Sequence, residues 1–260
     1  MFGWGLSFGS LAAMAYLAWR LARVPWLARE GARWQVWTTC ADLHLGATLG
    51  PRWLEARIAE VEALKPDLVV LLGDVFEGHG APAPETVHML RRLQAPLGVW
   101  GVNGNHERHG TALSPLESAG VQVLQDAWAE PAPGLLLAGS TQAHGHGRDV
   151  TGTAWAPPLE RLRGGLVLLS HVPSHAQEAA QAGVGLMLSG HTHGGQIWPF
   201  GYLVGTASPV VQGQTSLDRM TLIVNRGAGT WGPRMRLWKR AEISLITLRA
   251  RPEPPSRTPA

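Results

Sequence analysis

The sequence has little of what marks several common classes of protein. It has a single cysteine, Cys40, among 260 residues, which excludes an internal disulfide framework and leaves no sign of an oxidising compartment. The net charge is only +3, and no basic block or ladder of basic and aromatic residues runs through the chain, which argues against a nucleic-acid-binding protein. No internal repeat is present. The hydrophobic fraction of 45% is ample for the core of one large α/β domain or two small ones.

The N-terminal segment, residues 1–30, begins with nineteen uncharged residues that are rich in apolar and aromatic side chains, and Arg20, Arg23 and Arg29 follow. This run is just long enough to span a bilayer as a helix. It makes a poor signal peptide, because nothing basic precedes it and no small-residue cleavage site ends it. We expect an apolar helix that anchors the protein, either across the membrane or lying on its surface or on the domain. The arginines place the following domain on the cytoplasmic side by the positive-inside rule.

The rest of the chain alternates short apolar runs with segments of helical spacing, which predicts an α/β domain over residues 31–250. Residues 68–72 are wholly aliphatic, as in a parallel strand buried on both faces. Further strands are predicted at 34–39, 97–102, 121–124, 135–138, 166–169, 184–188, 222–224 and 242–248, and helices at 51–64, 85–93, 114–119 and 175–182. Residues 143–158 are predicted to form a loop near the site, and residues 251–260 a disordered tail.

Five of the predicted strands end in polar side chains next to glycine or another turn residue. The residues are Asp42 with His44, Asp74, Asn105 with His106, His171, and His191 with His193. Each of them alone has a purely structural explanation, as a helix cap, a turn residue or a surface imidazole. The carboxyl ends of parallel strands meet at one edge of a sheet, however, and ligands of open α/β sheets bind there. The coincidence of all five therefore favours a single site.

The chemistry of these side chains predicts a metal centre. Carboxylate, amide and imidazole ligands together suit Mn²⁺, Fe²⁺ or Zn²⁺ better than Ca²⁺. Seven potential ligands are too many for one tetrahedral ion, whereas two ions about 3.5–4 Å apart, bridged by one carboxylate, would use them all. Such a pair activates a bridging hydroxide and polarises a phosphoryl oxygen, so phosphoester hydrolysis would need no nucleophilic serine or cysteine.

With these motifs in this order, the sequence resembles the calcineurin-like metallophosphoesterases. The motifs are Asp42-Leu43-His44, Gly73-Asp74, Gly104-Asn105-His106-Glu107, His171 and Gly190-His191-Thr192-His193. The longer forms of the first and last motifs are similar to the bacterial membrane-associated branch typified by the YkuE and YaeI phosphodiesterases. The resemblance covers roughly residues 34–248. It implies a four-layer α/β/β/α sandwich behind the N-terminal apolar helix, where the residues alone would suggest a three-layer α/β domain.

The resemblance also implies a role for each site residue. Asp42, His44 and His193 would bind one metal ion, Asn105, His171 and His191 would bind the other, and Asp74 would bridge them. His106 would not be a ligand but would position the phosphate and protonate the leaving oxygen. Glu77, three residues after the bridging aspartate, is the carboxylate expected to orient His106, and Glu107 is its rival.

The expected substrate is a phosphodiester or pyrophosphate at the membrane. Part of the branch resembles enzymes that act on UDP-2,3-diacylglucosamine, so a lipid-linked substrate is the leading hypothesis. A general phosphodiesterase for small molecules is the alternative. Five apolar residues that follow the last motif would form either an acyl-binding wall or part of the core: Ile197, Trp198, Phe200, Tyr202 and Leu203. A non-catalytic metal-stabilised scaffold is disfavoured, because no ligand position is missing. A nuclease is disfavoured by the weak net charge.

Overall fold

The computed structural model describes residues 23–27, 33–38, 41–78, 80–110, 114–141 and 165–250. The predicted N-terminal apolar helix falls mainly on residues 1–22 and therefore lies outside the described residues, as do Cys40, the predicted loop at 143–158 and the predicted tail. Within the described part of the chain, no helix is both long enough and apolar enough to cross a bilayer.

The first of two sheets contains the first five strands of the chain together with the last strand. Its strands are β1 (Arg23–Leu27), β2 (Arg33–Thr38), β3 (Leu68–Leu71), β4 (Val99–Gly101), β5 (Gln122–Val123) and β12 (Ser244–Ala250). Their order is β1-β12-β2-β3-β4-β5. Strands β2 to β5 are parallel, whereas β12 runs antiparallel to β2 and parallel to β1. The carboxyl ends of β2, β3 and β4 therefore share one edge.

The second sheet also has six strands and a parallel centre. Its strands are β6 (Ala127–Ala132), β7 (Leu135–Ser140), β8 (Gly165–Ser170), β9 (Leu186–Ser189), β10 (Gly213–Leu217) and β11 (Met220–Val224). Their order is β10-β11-β9-β8-β7-β6. The four central strands are mutually parallel, and the two edge strands pair antiparallel. This arrangement brings the carboxyl ends of β8 and β9 side by side.

The helices are short, and most follow a ligand-bearing strand end. They are α1 (Pro51–Leu64), α2 (Pro84–Leu90), α3 (Asn105–Gly110), α4 (Ser114–Ser118), α5 (Ala176–Gln181) and α6 (Phe200–Ala207), with a 3-10 turn at His193–Gly195. Helix α1 begins at a proline, which suits the first helical position, and its buried residues recur at helical spacing. It ends at Lys65, whose left-handed backbone lets its N–H bond the carbonyl of Glu62.

Three clusters of buried side chains hold these elements together. The first lies between the sheets and joins inward-facing residues such as Leu68 and Val70 of β3 to residues of the second sheet. The alternate residue of β3, Val69, faces outward with residues of α1, α2 and α4. A third cluster covers the other face of the second sheet with Ala179 of α5. Because successive strand residues point to opposite faces, each central strand contributes side chains to two clusters. The predicted mixed α/β class is confirmed.

Candidate metal centre

The candidate ligands all stand just beyond the carboxyl ends of five parallel strands. The turn after β2 carries Asp42 and His44, the turn after β3 carries Asp74, the end of β4 leads to Asn105, β8 ends before His171, and β9 ends before His191 and His193. Three strands belong to the first sheet and two to the second. The two sheets are joined here, because the His191 N–H donates to the carboxylate of Asp42 at 3.0 Å. The structure thus brings together all seven side chains that the sequence singles out.

Three of these side chains form one group of converging donor atoms. The Nε2 atoms of His44 and His193 lie 3.1 Å apart. The Nε2 atom of His193 is 3.6 Å from Oδ1 of Asp42. All three side chains are buried. Two ring nitrogens face each other at this distance when both bind one ion, since metal–nitrogen bonds are about 2.0–2.1 Å long.

A second group lies beside the first. Nε2 of His171 lies 3.1 Å from Oδ1 of Asn105 and 3.2 Å from Nδ1 of His191. It is also 3.3 Å from Oδ2 of Asp74. The same Asp74 oxygen lies 3.8 Å from Nε2 of His44, which belongs to the first group. Asp74 therefore lies between the two groups, where a bridging carboxylate is required.

The donor set fits divalent metal ions. The site offers imidazole nitrogens and carboxylate oxygens in groups whose ligand atoms lie within 4.8 Å of one another. This mixture suits borderline ions such as Mn²⁺, Fe²⁺ and Zn²⁺. The Nδ1–H of His171 donates to the carbonyl of Leu72 at 2.6 Å, so Nε2 is the nitrogen that would bind a metal ion once its own proton is lost. Buried imidazoles converge on carboxylates here, and a cation bound between them would complete the site.

The backbone of the site is held in an uncommon conformation. Five of the seven candidate ligands have left-handed backbones, with φ between 47° and 69°: Asp42, His44, Asp74, His191 and His193. Few residues other than glycine adopt this region, and those that do are stabilised by the surrounding structure and cluster at functional sites. Each of these side chains therefore leaves its strand in a direction that an extended backbone would not allow.

Two glycines permit the close approach of the turns after β3 and β4. Gly73 has a φ of +85°, and a Cβ there would lie 2.7 Å from the Cα of Gly104. A Cβ on Gly104 would collide with the carboxylate of Asp74. The glycines of these two motifs are therefore needed so that the backbones can touch and Asp74 can lie between the ligand groups.

Burial and neighbouring charges shift the pKa values of the two aspartates in opposite directions. Burial raises the pKa of Asp42 to about 7, against the lowering effect of His171. Burial alone would also raise the pKa of Asp74, but the adjacent His171, the His106 N–H and His44 together hold it well below its usual range. Asp74 is therefore ionised more readily than Asp42, which suits a carboxylate that would be shared between two cations.

The imidazoles also differ from one another. Burial would lower the pKa of His171, but the neighbouring Asp74 and Asp42 raise it to about 9. Burial lowers the pKa of His44 to about 4, and burial with the charge of His44 lowers that of His193 well below its usual value. His44 and His193 are thus neutral near neutral pH, which is the form that binds metal.

His106 lies at the mouth of the site and faces both ligand groups. Its Nδ1 donates to the backbone carbonyl of Glu77 at 2.7 Å. Its Nε2 points inward and lies 4.0 Å from Oδ2 of Asp74. The ring stands edge-on to that of His44, with the centroids 4.7 Å apart. The imidazole is therefore held by one nitrogen and presents the other to the space beside the ligands.

The two carboxylates expected to compete for His106 act elsewhere. The carboxylate of Glu77 accepts a hydrogen bond from the Ala47 N–H at 3.1 Å, and only the backbone carbonyl of Glu77 holds the histidine ring. The buried carboxylate of Glu107 accepts the N–H groups of Asp74 and Gly104, both at 2.8 Å, and that of Phe76 at 3.0 Å. Glu107 thus fastens the turn after β3 to the turn after β4.

Arg236 is a site residue that the sequence reasoning missed. Its guanidinium donates to the carbonyls of Gly229, Arg226 and Gly227 within 3.1 Å, and more weakly to that of His193. Burial lowers the pKa of Arg236 to about 10, yet the group stays charged near neutral pH. It fastens the turn that carries His193 to the turn after β11. No sequence signal singles out Arg236, because no spacing rule predicts partners that are backbone atoms.

The ligands open into a cavity of about 800 Å³. One side is polar and contains His106 and the ligand groups. The other side is apolar and includes Ile197, Phe200 and Val204 from the region of α6, and Trp231. Phe200 and Trp231 are more than half exposed, so these residues do not belong to the core. The cavity therefore offers a metal-ligand floor and an apolar wall to the same occupant.

Comparison with known proteins gives the family. The sequence model of the calcineurin-like phosphoesterases matches residues 38–195, which include all the candidate ligands. The chain belongs to this family. The family acts on phosphoesters by hydrolysis, and the clustered histidines and aspartates supply candidate metal ligands.

Relatives occur in animals and bacteria. A bovine protein named "Transmembrane protein with metallophosphoesterase domain" is 31% identical over 82% of this chain and 52% of its own length. An uncharacterized metallophosphoesterase of Aquifex aeolicus is 30% identical over 81% of this chain and 84% of its own length. The uncharacterized metallophosphoesterase YkuE of Bacillus subtilis is 30% identical over 81% and 77%. This chain spans about half the length of several of these relatives, including the bovine protein.

Proposed function

We propose that this protein hydrolyses phosphodiester or pyrophosphate bonds with two bound divalent ions, Mn²⁺, Fe²⁺ or Zn²⁺. Its architecture is then the four-layer α/β/β/α sandwich, with the three clusters of buried side chains between the layers. The observation that carries the proposal is the convergence of seven potential ligands in two groups that share Asp74, with His106 beside them. Family membership supports the reaction class.

The ligands are divided by their distances. Asp42, His44 and His193 would hold one ion, and Asp74 would be shared between the two. Asn105, His171 and His191 would hold the second ion. When bound, the ions would supply Lewis-acid stabilisation of the phosphoryl oxygens and would activate the attacking water.

His106 acts as the proton donor in this proposal. Its Nδ1–H is held by the Glu77 carbonyl, so a second proton on Nε2 would point toward the leaving oxygen. The contribution of Glu77 is thus made through its backbone and not through the carboxylate that the sequence suggested.

The apolar wall of the cavity supports a lipid-linked substrate, such as UDP-2,3-diacylglucosamine. A phosphate bound at the ligand groups would leave an attached acyl chain beside Phe200, Val204 and Trp231. A purely polar substrate would leave this wall in contact with water, at a cost that grows with the apolar area. A general phosphodiesterase for small molecules is the alternative, and a comparison of lipid-linked with soluble diesters separates the two.

We also propose that the protein is associated with the membrane, with its catalytic domain on the cytoplasmic side, as in the branch typified by YkuE and YaeI. The uncharged residues 1–19 and the arginines that follow support this placement. Relatives in cattle and zebrafish carry the word transmembrane in their names.

The test is hydrolysis of bis(p-nitrophenyl) phosphate against p-nitrophenyl phosphate, with and without Mn²⁺. We expect the diester to be turned over only with metal, and His106→Ala to lower kcat by about 10²–10⁴-fold, the usual contribution of a general acid. The matched control is His88→Ala, because His88 is exposed on α2, away from the site. The control should keep wild-type activity.

Two results would contradict the proposal. Turnover that persists after exhaustive removal of metal would exclude the metal-dependent mechanism. A protein that binds two ions per chain but hydrolyses neither a soluble nor a lipid-linked ester would instead be a metal-stabilised scaffold. The scaffold is disfavoured because all seven ligand side chains and His106 are present and converge.

A further inference from the structure

Exposed apolar side chains are concentrated on one side of the molecule. Of the nine large apolar residues that are exposed in the described part of the chain, eight lie in two short segments: Trp198, Phe200, Tyr202 and Leu203 in the first, and Trp231, Met235, Leu237 and Trp238 in the second. The ninth, Leu64, ends helix α1. Scattered exposed apolar residues need no explanation, but a contiguous set marks an interaction surface.

The two segments form one surface, which we name the aromatic ridge and define by those eight residues. The Trp198 N–H donates to the Leu237 carbonyl, and the rings of Trp198 and Trp238 lie 5.2 Å apart. Tyr202 and Leu203 are 77% and 64% exposed on helix α6, in which no residue is buried. The ridge is continuous with the catalytic cavity, because two of its members line the apolar wall.

The charges around the ridge are of one sign. Residues 191–217 contain no Asp, Glu, Lys or Arg, and residues 225–241 contain five basic residues and no acidic one. Arg226 forms an ion pair with Glu242 and Arg236 bonds backbone carbonyls, so the basic charge of the surface comes from Arg234, Lys239 and Arg240. Arg234 and Arg240 are exposed among the ridge residues, and Lys239 is half-buried. Tryptophan and tyrosine beside arginine and lysine form the composition that proteins present to the interface of an anionic membrane. A surface of this composition is less suited to a neutral apolar protein partner.

Strand β1 begins on the side of the first sheet that carries the metal ligands. Strand β1 runs parallel to β12, and β12 runs antiparallel to β2. The start of β1 at Arg23 therefore points toward the edge where β2 ends and the metal ligands begin. The uncharged residues 1–19 precede Arg23 in the chain. The described part of the chain thus begins on the side of the sheet that carries the site.

We propose that the aromatic ridge docks the catalytic domain on an anionic lipid bilayer. The proposal deepens the proposed function and rests on it for one consequence, that the mouth of the cavity faces the bilayer. The tryptophan, phenylalanine and leucine side chains enter the interfacial region, while Arg234, Lys239 and Arg240 bind lipid phosphates. A lipid-linked substrate then reaches the ligand groups along Phe200 and Trp231 without its acyl part crossing water.

The experiment measures contact of the ridge with lipid in the full-length chain. Tyr202→Cys, in a Cys40→Ala background, is labelled with an environment-sensitive fluorophore and reconstituted into vesicles of phosphatidylcholine and phosphatidylglycerol. Nitroxide-labelled lipids then report whether the label touches the bilayer. We expect strong quenching at position 202. The matched control is Ala63→Cys, exposed on the last turn of α1 at the opposite edge, where the label should stay unquenched.

Variants separate the apolar from the electrostatic contribution. Leu203→Ser with Trp238→Ser should lower the equilibrium constant for ridge contact at least tenfold. Arg234→Gln with Arg240→Gln should lower it about fivefold for each arginine, and added salt should reproduce that loss. Leu64→Ser, the exposed apolar residue outside the ridge, should change nothing. None of these residues contacts the ligand groups, so hydrolysis of a soluble diester should be unchanged.

Three outcomes overturn the proposal. Equal quenching at positions 202 and 63, or none at either, would show that the ridge does not face the bilayer. A label at 202 that is already buried without lipid would show that another part of this chain covers the ridge. If burial of the label without lipid increases with protein concentration, a second copy of this chain covers the ridge. Because quenching needs no catalysis, loss of hydrolysis with quenching intact would refute the proposed function alone.

Discussion

Glu107→Gln tests the role of the buried carboxylate most directly. Gln has the same shape as Glu but one acceptor oxygen in place of two, and it adds an NH₂ donor. In the structure, Oε2 of Glu107 accepts from Asp74 and Gly104, and Oε1 accepts from Phe76. If the Gln oxygen keeps the first two hydrogen bonds, its NH₂ group faces the N–H of Phe76. Two donors then meet in a buried place.

The magnitude follows from this geometry. A net hydrogen bond to a charged group contributes about 1.5–3 kcal/mol, and a buried donor left without a partner costs about 1–3 kcal/mol. The substitution removes one such hydrogen bond. It also removes the negative charge that strengthens the other two. Part of the loss is offset, because burial and the negative charge of Asp74 raise the pKa of Glu107 and so already disfavour its ionised form. We expect the free energy of unfolding to fall by about 2–3 kcal/mol.

The activity should fall as well, because the two turns that Glu107 joins carry Asp74 and Asn105. Partners that support metal ligands typically contribute 10–100-fold to affinity or activity. Stability is measured by chemical denaturation of the metal-free protein, activity with bis(p-nitrophenyl) phosphate, and local order by amide hydrogen exchange at Asp74, Phe76 and Gly104. The matched control is Glu85→Gln, an exposed carboxylate in the first turn of α2.

The reasoning would be refuted by a variant with wild-type stability and unchanged exchange at those three amides. The rival role, in which Glu107 orients His106, makes a different prediction. If Glu107 orients His106, Glu107→Gln should cause no further loss of stability when His106 is already alanine. If Glu107 instead joins the turns after β3 and β4, the losses of stability from the two substitutions should add. A double-mutant cycle between Glu107→Gln and His106→Ala therefore separates the two roles.

Three further predictions concern the same site. Metal binding should release protons and tighten as pH rises from neutral to about 9, because His171 is protonated below that pKa and must lose its proton to bind; calorimetry in buffers of different ionisation enthalpy measures this. Arg236→Lys should lower the free energy of unfolding by about 2 kcal/mol, because an ammonium cannot replace the guanidinium fork, as measured by denaturation. Gly104→Ala should lower diesterase activity at least ~100-fold by displacing the carboxylate of Asp74, the proposed bridge, whereas Gly50→Ala, which has open space around it, should be neutral.

The mixed α/β class and the gathering of the candidate ligands could be predicted from sequence because both depend on local patterns. Aliphatic runs such as residues 68–72 allow only a buried strand, and β3 is buried throughout. Parallel strands then bring their carboxyl ends together whatever the details of packing. The helix predicted at 51–64 is observed with those bounds, since a proline begins it and its apolar residues repeat at helical spacing.

Elements without a strong period were not predicted. Helix α6, Phe200–Ala207, has no charged residue and no buried one, so it shows neither a polar face nor a core-facing stripe. Strand β6 contains Pro131, which usually argues against a strand but is tolerated here because β6 lies at the edge of its sheet. Strand β10, Gly213–Leu217, is mostly polar and is likewise an edge. Pairing with a neighbouring strand, and not local pattern, defines the two edge strands.

The roles of Glu107 and Arg236 show why the support of a site is harder to predict than its ligands. A metal ligand is recognised by residue type, because few side chains bind divalent ions. The groups that position those ligands bond to backbone N–H and carbonyl groups, which every residue carries, so sequence cannot say which ones they meet. The left-handed residues Asp74 and His193 are held by such partners, Glu107 at the Asp74 N–H and Arg236 at the His193 carbonyl. The strain of the ligand turns and the buried charges that hold them are therefore one feature of the fold, and a substitution in either should disturb the other.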